Sequence, residues 1–114
     1  MKLAVNEAKG MKIDIQNALV DFDHTLEVDI QRRLMLALSK MKSHISSITF
    51  IIRDVVNKAG KQAKYCSLTI TLKRLSDILI EEVQVDLDSA IDRVIQKATR
   101  LLSRKISSGR SENL

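Results

Sequence analysis

The residues of this chain best suited to chemistry are four cations, Arg93, Lys97, Arg100 and Arg104, spaced by four, three and four residues. At about 100° per residue they fall within roughly 60° of one another on a helix and form one stripe. Ile91, Val94, Ile95, Ala98 and Leu102 fall on the opposite side, the pattern of a helix that packs one face and exposes the other. A row of guanidinium and ammonium groups can neutralise phosphates and release their counterions. Taken alone, the stripe is more simply a solvated outer face. The distribution of charge adds the second reading. Residues 91–114 hold six Lys or Arg against Asp92 and Glu112, so +4 of the chain's net +5 lies there. A positive field focused on one element fits an anionic partner, either nucleic acid or anionic lipid.

Other chemistries find no footing. His24 and His44 are far apart and have no metal-ligand neighbour at helical spacing, so capping or surface roles suit them. Asp86 and Asp92 fit the start of a helix as cap and dipole partners better than an acid/base pair. The chain has no Gly-rich phosphate loop, nucleophile elbow or metal-ligand cluster. The expectation is a non-enzymatic protein without cofactor, metal or small-molecule substrate. Cys66 is the single cysteine, which excludes an internal disulfide, fits a reducing compartment and reads as a small buried apolar residue. No apolar run approaches the ~18 residues of a membrane span, and the N-terminus does not read as a signal peptide. A cytoplasmic protein is expected.

The elements that must position the stripe follow from hydrophobic periodicity. The 114 residues, 45% hydrophobic and without proline, bound a single domain with a real core. Residues 1–10 read as a loosely tethered extension, 11–106 as the domain and 107–114 as a polar tail. Met11, Ile13 and Ile15 alternate with polar residues in a first strand. Asp21 to Thr25 supply cap oxygens for a helix in which Ile30, Leu34, Ala37, Leu38 and Met41 recur to about Lys42. A second strand is expected around residues 48–53 and a turn at 57–61, where Gly60 can take positive φ. Cys66, Leu68, Ile70 and Leu72 line one face of a third strand, whose Thr-rich other face suits a wet sheet surface. Residues 78–85 give a fourth strand with a bulge at Glu81-Glu82, and a last helix runs from about Asp86 to Ile106, where Ser107-Ser108-Gly109 stops it.

The expected fold is therefore α+β, a two-layer sandwich in the order β-α-β-β-β-α. A helical crossover makes the first two strands parallel, the last three form an antiparallel meander, and both helices cover one face of a four-stranded mixed sheet. Two further groups of cations could extend a basic surface. Lys58, Lys61 and Lys64 cluster at one hairpin, and Arg33 and Lys40 share a side of the first helix at seven-residue spacing. Val28, Met35 and Leu36 fall off that helix's apolar stripe and offer a contact patch for a partner or for weak self-association.

Several segments resemble the ribosome hibernation-promoting factor family, also called ribosome-associated inhibitor A or sigma-54 modulation proteins. Met11-Lys12-Ile13-Asp14-Ile15 is similar to the family's opening strand. Leu38-Ser39-Lys40-Met41 and His44-Ile45-Ser46-Ser47-Ile48 are similar to the end of its first helix and the start of its second strand. Asp86-Leu87 followed by Ala90-Ile91-Asp92 resembles its junction between fourth strand and closing helix. The likeness spans about residues 11–106. It departs at Asp88, where the family commonly places an aromatic, and at Asn17-Ala18, where a Gly often follows the strand. The resemblance implies a translation inhibitor bound to the small ribosomal subunit, in the channel where messenger and transfer RNA sit, during stationary phase or stress. It is to the short type, which lacks the C-terminal dimerisation domain of long members.

Arg93, Lys97, Arg100 and Arg104 would then contact ribosomal RNA, with Lys58, Lys61, Lys64, Arg33 and Lys40 as further candidates. Structured RNA is read largely by shape, phosphates and 2′-hydroxyls, which suits a chain whose aromatics are Phe22, Phe50 and Tyr65 alone. Two other readings stand beside it. One is a protein-interaction module that uses the uncovered sheet face or the Val28/Met35/Leu36 patch. The other is a peripheral membrane binder, which is weakened because the closing helix needs its apolar face for the sheet and the chain has no Trp.

Overall fold

The computed structural model describes residues 3–8, 11–21 and 23–112, with side chains from 11–21 and 23–108. In chain order the elements are β1 (Leu3–Ala8), β2 (Met11–Ala18), α1 (His24–Leu38), a 3-10 segment (Ser39–His44), β3 (Ile45–Val56), β4 (Gln62–Leu72), β5 (Ile78–Gln84) and α2 (Leu87–Glu112). The strands form one sheet in the order β1-β2-β3-β4-β5. β2 and β3 run parallel, joined through α1, and the other neighbours are antiparallel. The expected four-stranded mixed sheet is β2 to β5, and the domain is a two-layer α+β sandwich.

Strand alternation sorts the side chains. Ile13 and Ile15 of β2, Ile48, Phe50 and Ile52 of β3, and Cys66, Leu68 and Ile70 of β4 point inward and are at most 1% exposed. They share one core with Ile30, Leu34 and Leu38 of α1 and with Ala90, Ile91, Val94, Ala98 and Leu102 of α2. Both helices begin on the oxygens their sequences offer. The Asp23 carboxylate accepts from Thr25 N at 3.0 Å, and Asp86 Oδ2 accepts from Ser89 N at 2.9 Å. The β3–β4 turn contains Gly60 at φ 78°, a left-handed conformation that glycine adopts without steric cost.

Four features differ from the sequence expectation. Residues 3–8, read as a lead-in, form a fifth strand at the sheet edge, pairing from Leu3 opposite Gln16 to Ala8 opposite Met11. The unpaired backbone edge of β2 gives this short segment hydrogen-bond partners that its own composition does not announce. The α-helical part of α1 stops at Leu38, and Ser39–His44 tightens to 3-10 geometry before entering β3. The register from Lys64/Gln84 to Ile70/Ile78 is continuous, so β5 has no bulge; its disturbed alternation arises because Glu82, 8% exposed, points inward. Finally, α2 continues through Ser107-Ser108-Gly109 to Glu112. Asn113 and Leu114 lie outside the described residues.

Cys66 sits in the core, and burial together with the Glu82 carboxylate pushes its thiol up to about 12. It is therefore a neutral, enclosed thiol at ordinary pH, and a thiol reagent should reach it only through unfolding. At pH 8 the native protein should label at least about 100-fold more slowly than the urea-unfolded chain. Thiol labelling followed by mass spectrometry checks this. The thiolate is disfavoured in the folded state, so stability should decline as pH rises above the unfolded thiol value of 9.0.

Candidate nucleic-acid interface

The α2 stripe is present but divided. Arg93 and Lys97, on the first half of the helix, turn toward β5 and share the Glu82 carboxylate. Arg93 Nε lies 3.4 Å from Glu82 Oε1, and Lys97 Nζ donates to Glu82 Oε2. Burial under α2 pushes the Glu82 carboxyl up, but the Lys97 and Gln84 hydrogen bonds and the two cations outweigh it and hold it below its usual range. Arg100 and Arg104 are exposed and have no carboxylate partner among the described residues. One acid against two cations leaves a net positive charge on the first half of the stripe, and both charges of the second half are unpaired among the described residues.

The second half of α2 has company that its own sequence does not reveal. α2 runs antiparallel to β5, so its later turns return to the end of the sheet where β3 begins and β4 stops. There Lys73 N donates to His44 O at 3.1 Å, tying the β4–β5 connection to the 3-10 segment. Lys105 Nζ donates to Ser76 O at 2.8 Å, tying α2 to the same connection. These ties gather Lys40 and Lys42 of the 3-10 segment, Lys73 and Arg74 of the connection, and Arg104 and Lys105 of α2 at one end of the domain. All but the half-buried Lys105 are exposed, and Asp77 is the one acid within the connection. Sequence reasoning missed Lys42, Lys73 and Arg74. Their signal was local, a charged pair at a turn and an i,i+2 pair at a helix end; only strand register joins the two.

The remaining candidates lie elsewhere. Arg33 is in a cage of three carboxylates, with Nη2 2.9 Å from Asp29 and 3.3 Å from Asp88, and Nη1 3.0 Å from Asp92. Burial pushes its guanidinium down, but the three acids reverse this, so it is held charged above its ordinary range. It joins α1 to the start of α2. Asp88, where the resemblance expects an aromatic, supplies one of these contacts. Lys40 lies beyond the α-helical turns, in the 3-10 segment, and is exposed.

Lys58, Lys61 and Lys64 occupy the β3–β4 hairpin, at the other end of the sheet. The 12 residues of β3 at about 3.3 Å each separate the two ends by roughly 36 Å. Lys64 Nζ is 2.5 Å from Asp54 Oδ1, whose other oxygen accepts from Val20 N at 2.7 Å. These bonds, the Lys64 one first, hold the Asp54 carboxyl below its usual range. Lys58 and Lys61 are exposed and unpaired among the described residues. Among those residues no group of three His, Cys, Asp or Glu side chains is placed to hold a metal ion, and no helix is long and apolar enough to cross a membrane.

No protein-family model matches this chain, and no curated protein matches it. Solved structures do. A ribosomal subunit interface protein from Coxiella burnetii superposes with a TM-score of 0.62 at 21% identity, covering 82% of this chain and 97% of its own. The N-terminal domain of Protein Y from Thermus thermophilus superposes with a TM-score of 0.58 at 13% identity, covering 79% of this chain and 96% of its own. A sheet carrying two helices on one face, closed by a basic helix and a basic end, is thus built on the fold shared by these two proteins.

Proposed function

We propose that the protein is a non-enzymatic, cytoplasmic ribosome-associated factor that binds the small ribosomal subunit in the mRNA/tRNA channel and inhibits translation during stationary phase or stress. The observation that carries this reading is the basic end: cations from the 3-10 segment, the β4–β5 connection and α2 meet on a fold shared with a ribosomal subunit interface protein. Unpaired exposed cations bind RNA by neutralising phosphates, and structured RNA requires no stacking platform at that end. The membrane alternative loses its means, because Ala90, Ile91, Val94, Ala98 and Leu102 are 0% exposed in the core and leave α2 no apolar face for lipid. The interaction-module alternative retains one specific observation, the exposure of Val28 (58%) and Leu36 (74%) on α1, and such binding would survive high salt.

Sedimentation of lysate through a sucrose gradient tests the reading. The protein should travel with small subunits and whole ribosomes at low salt and be released as salt rises. Arg100→Gln with Arg104→Gln should weaken this association by at least about tenfold. Arg93→Gln with Lys97→Gln should cost less, because those cations already share a carboxylate. Protein from starved cells that stays at the top of a low-salt gradient would overturn the proposal.

A further inference from the structure

The uncovered face of the sheet carries a second recognition feature, at the end opposite the basic cluster. Arg53, Tyr65 and Val83 stand side by side on β3, β4 and β5, in direct register. The Arg53 guanidinium carbon lies 4.3 Å from the centre of the Tyr65 ring. The Tyr65 hydroxyl donates to Glu81 Oε2 at 2.5 Å, which anchors the ring from its far end. Beside this stacked pair a cleft of about 640 Å³ opens between the strands and the β3–β4 turn, with Val55 and Val83 among its apolar walls and Lys58 at its turn.

The turn is built to hold its shape. Asn57 Oδ1 accepts from Ala59 N at 3.0 Å and from Lys61 N at 2.9 Å, while Asn57 N donates to Lys61 O at 2.9 Å. Lys58 therefore projects from an ordered backbone, and a ligand here need not bear the cost of ordering the loop. Arg53 and Lys58 have no carboxylate partner among the described residues, and Glu81 is engaged by Tyr65.

We propose that this cleft binds an unpaired ribonucleotide, its base stacked on the Arg53–Tyr65 pair between Val55 and Val83 and its phosphate against Lys58. The chemistry favours a nucleotide over other anions. A planar guanidinium held on an aromatic ring offers a broad stacking surface and edge donors in one unit, and both apolar walls would be wasted on a bare phosphate. The site is on the opposite face and the opposite end from Arg100 and Arg104, so it does not depend on the ribosome-binding reading.

Tyr65 is the only Tyr and the chain has no Trp, so tyrosine emission reports on this cleft directly. Titration of the whole protein with hexaadenylate at low salt should quench that emission saturably. Arg53→Lys, which keeps the charge and loses the plane, should weaken binding by about tenfold, and Lys58→Gln by about threefold. The Arg100→Gln, Arg104→Gln protein should respond like the parent, so loss of ribosome association and loss of this site are read separately. Circular dichroism verifies that each variant is folded. The proposal is overturned if emission does not saturate, if Arg53→Lys binds as tightly as the parent, or if inorganic tripolyphosphate or hexaglutamate, at a concentration equal to that of hexaadenylate, reverses the quench.

Discussion

Replacement of Phe50 by Ala should destabilise the protein by about 3–5 kcal/mol and lower its thermal midpoint by more than about 10 °C. Phe50 lies on the inner face of β3, the middle strand, with Ile15 and Leu68 opposite it on either side, and it is 0% exposed. Among the described residues it is the only aromatic side chain in a core otherwise made of aliphatic residues, Met11 and Cys66. Removal would leave a void in the enclosed core between Ile15 and Leu68. A domain of this size has about 5–15 kcal/mol in total, so the variant should lie close to its unfolding threshold at 37 °C. Phe50→Leu should cost less than about half as much, and scanning calorimetry of the two proteins distinguishes a cavity effect from a general intolerance of substitution.

A Glu82→Gln protein should bind RNA with a steeper salt dependence than its parent and should be less stable at neutral pH. Glu82 is almost fully buried and serves two cations, Arg93 and Lys97, that stand on the stripe proposed to meet phosphate. Removing its charge releases about one cation equivalent, so the slope of log K against log salt should grow by about 0.7–0.9. The amide also leaves the two cations without their counter-charge, costing about 1–3 kcal/mol. The acid limb of stability provides a second measure. Because the Glu82 carboxyl is held below its unfolded value of 4.5, its contribution is complete above that value and is lost as pH falls through the lower folded value. The Gln protein should lack that component, so the difference between the two proteins should shrink on acidification. Denaturant melts across pH 2–7 and salt titrations of RNA affinity check both outcomes; an unchanged slope would show that Arg93 and Lys97 do not meet phosphate.

The pattern of strands and helices was legible wherever one face is buried and the other wet. Cys66, Leu68, Ile70 and Leu72 announced β4 by strict alternation, and the apolar side of α2 named the residues that enter the core. Legibility ended where a partner outside the local sequence decides the outcome. β1 exists because β2 offers an edge, and nothing in Leu3 to Ala8 alone separates a strand from a tail. The Glu81-Glu82 pair looked like a break in alternation because an inward acid is rare; its reason is Lys97, fifteen residues away. The candidate site shows the same division. The stripe spacing is a property of one helix, whereas its sorting into shielded and unshielded halves depends on Glu82, and the gathering of Lys42, Lys73 and Arg74 beside it depends on strand register. Arg33 shows the same dependence on distant partners, since acids from two helices engage it.

The pairing of β1 with β2 has a further consequence for solubility. Without residues 1–10, a polypeptide starting at Met11 would present β2 as the rim of the sheet, its outward amides and carbonyls open to any extended peptide that drifts alongside. Such a rim, backed by Met11, Ile13 and Ile15, is a template for self-templated stacking, and the opening segment acts as a fastener that denies it to neighbours.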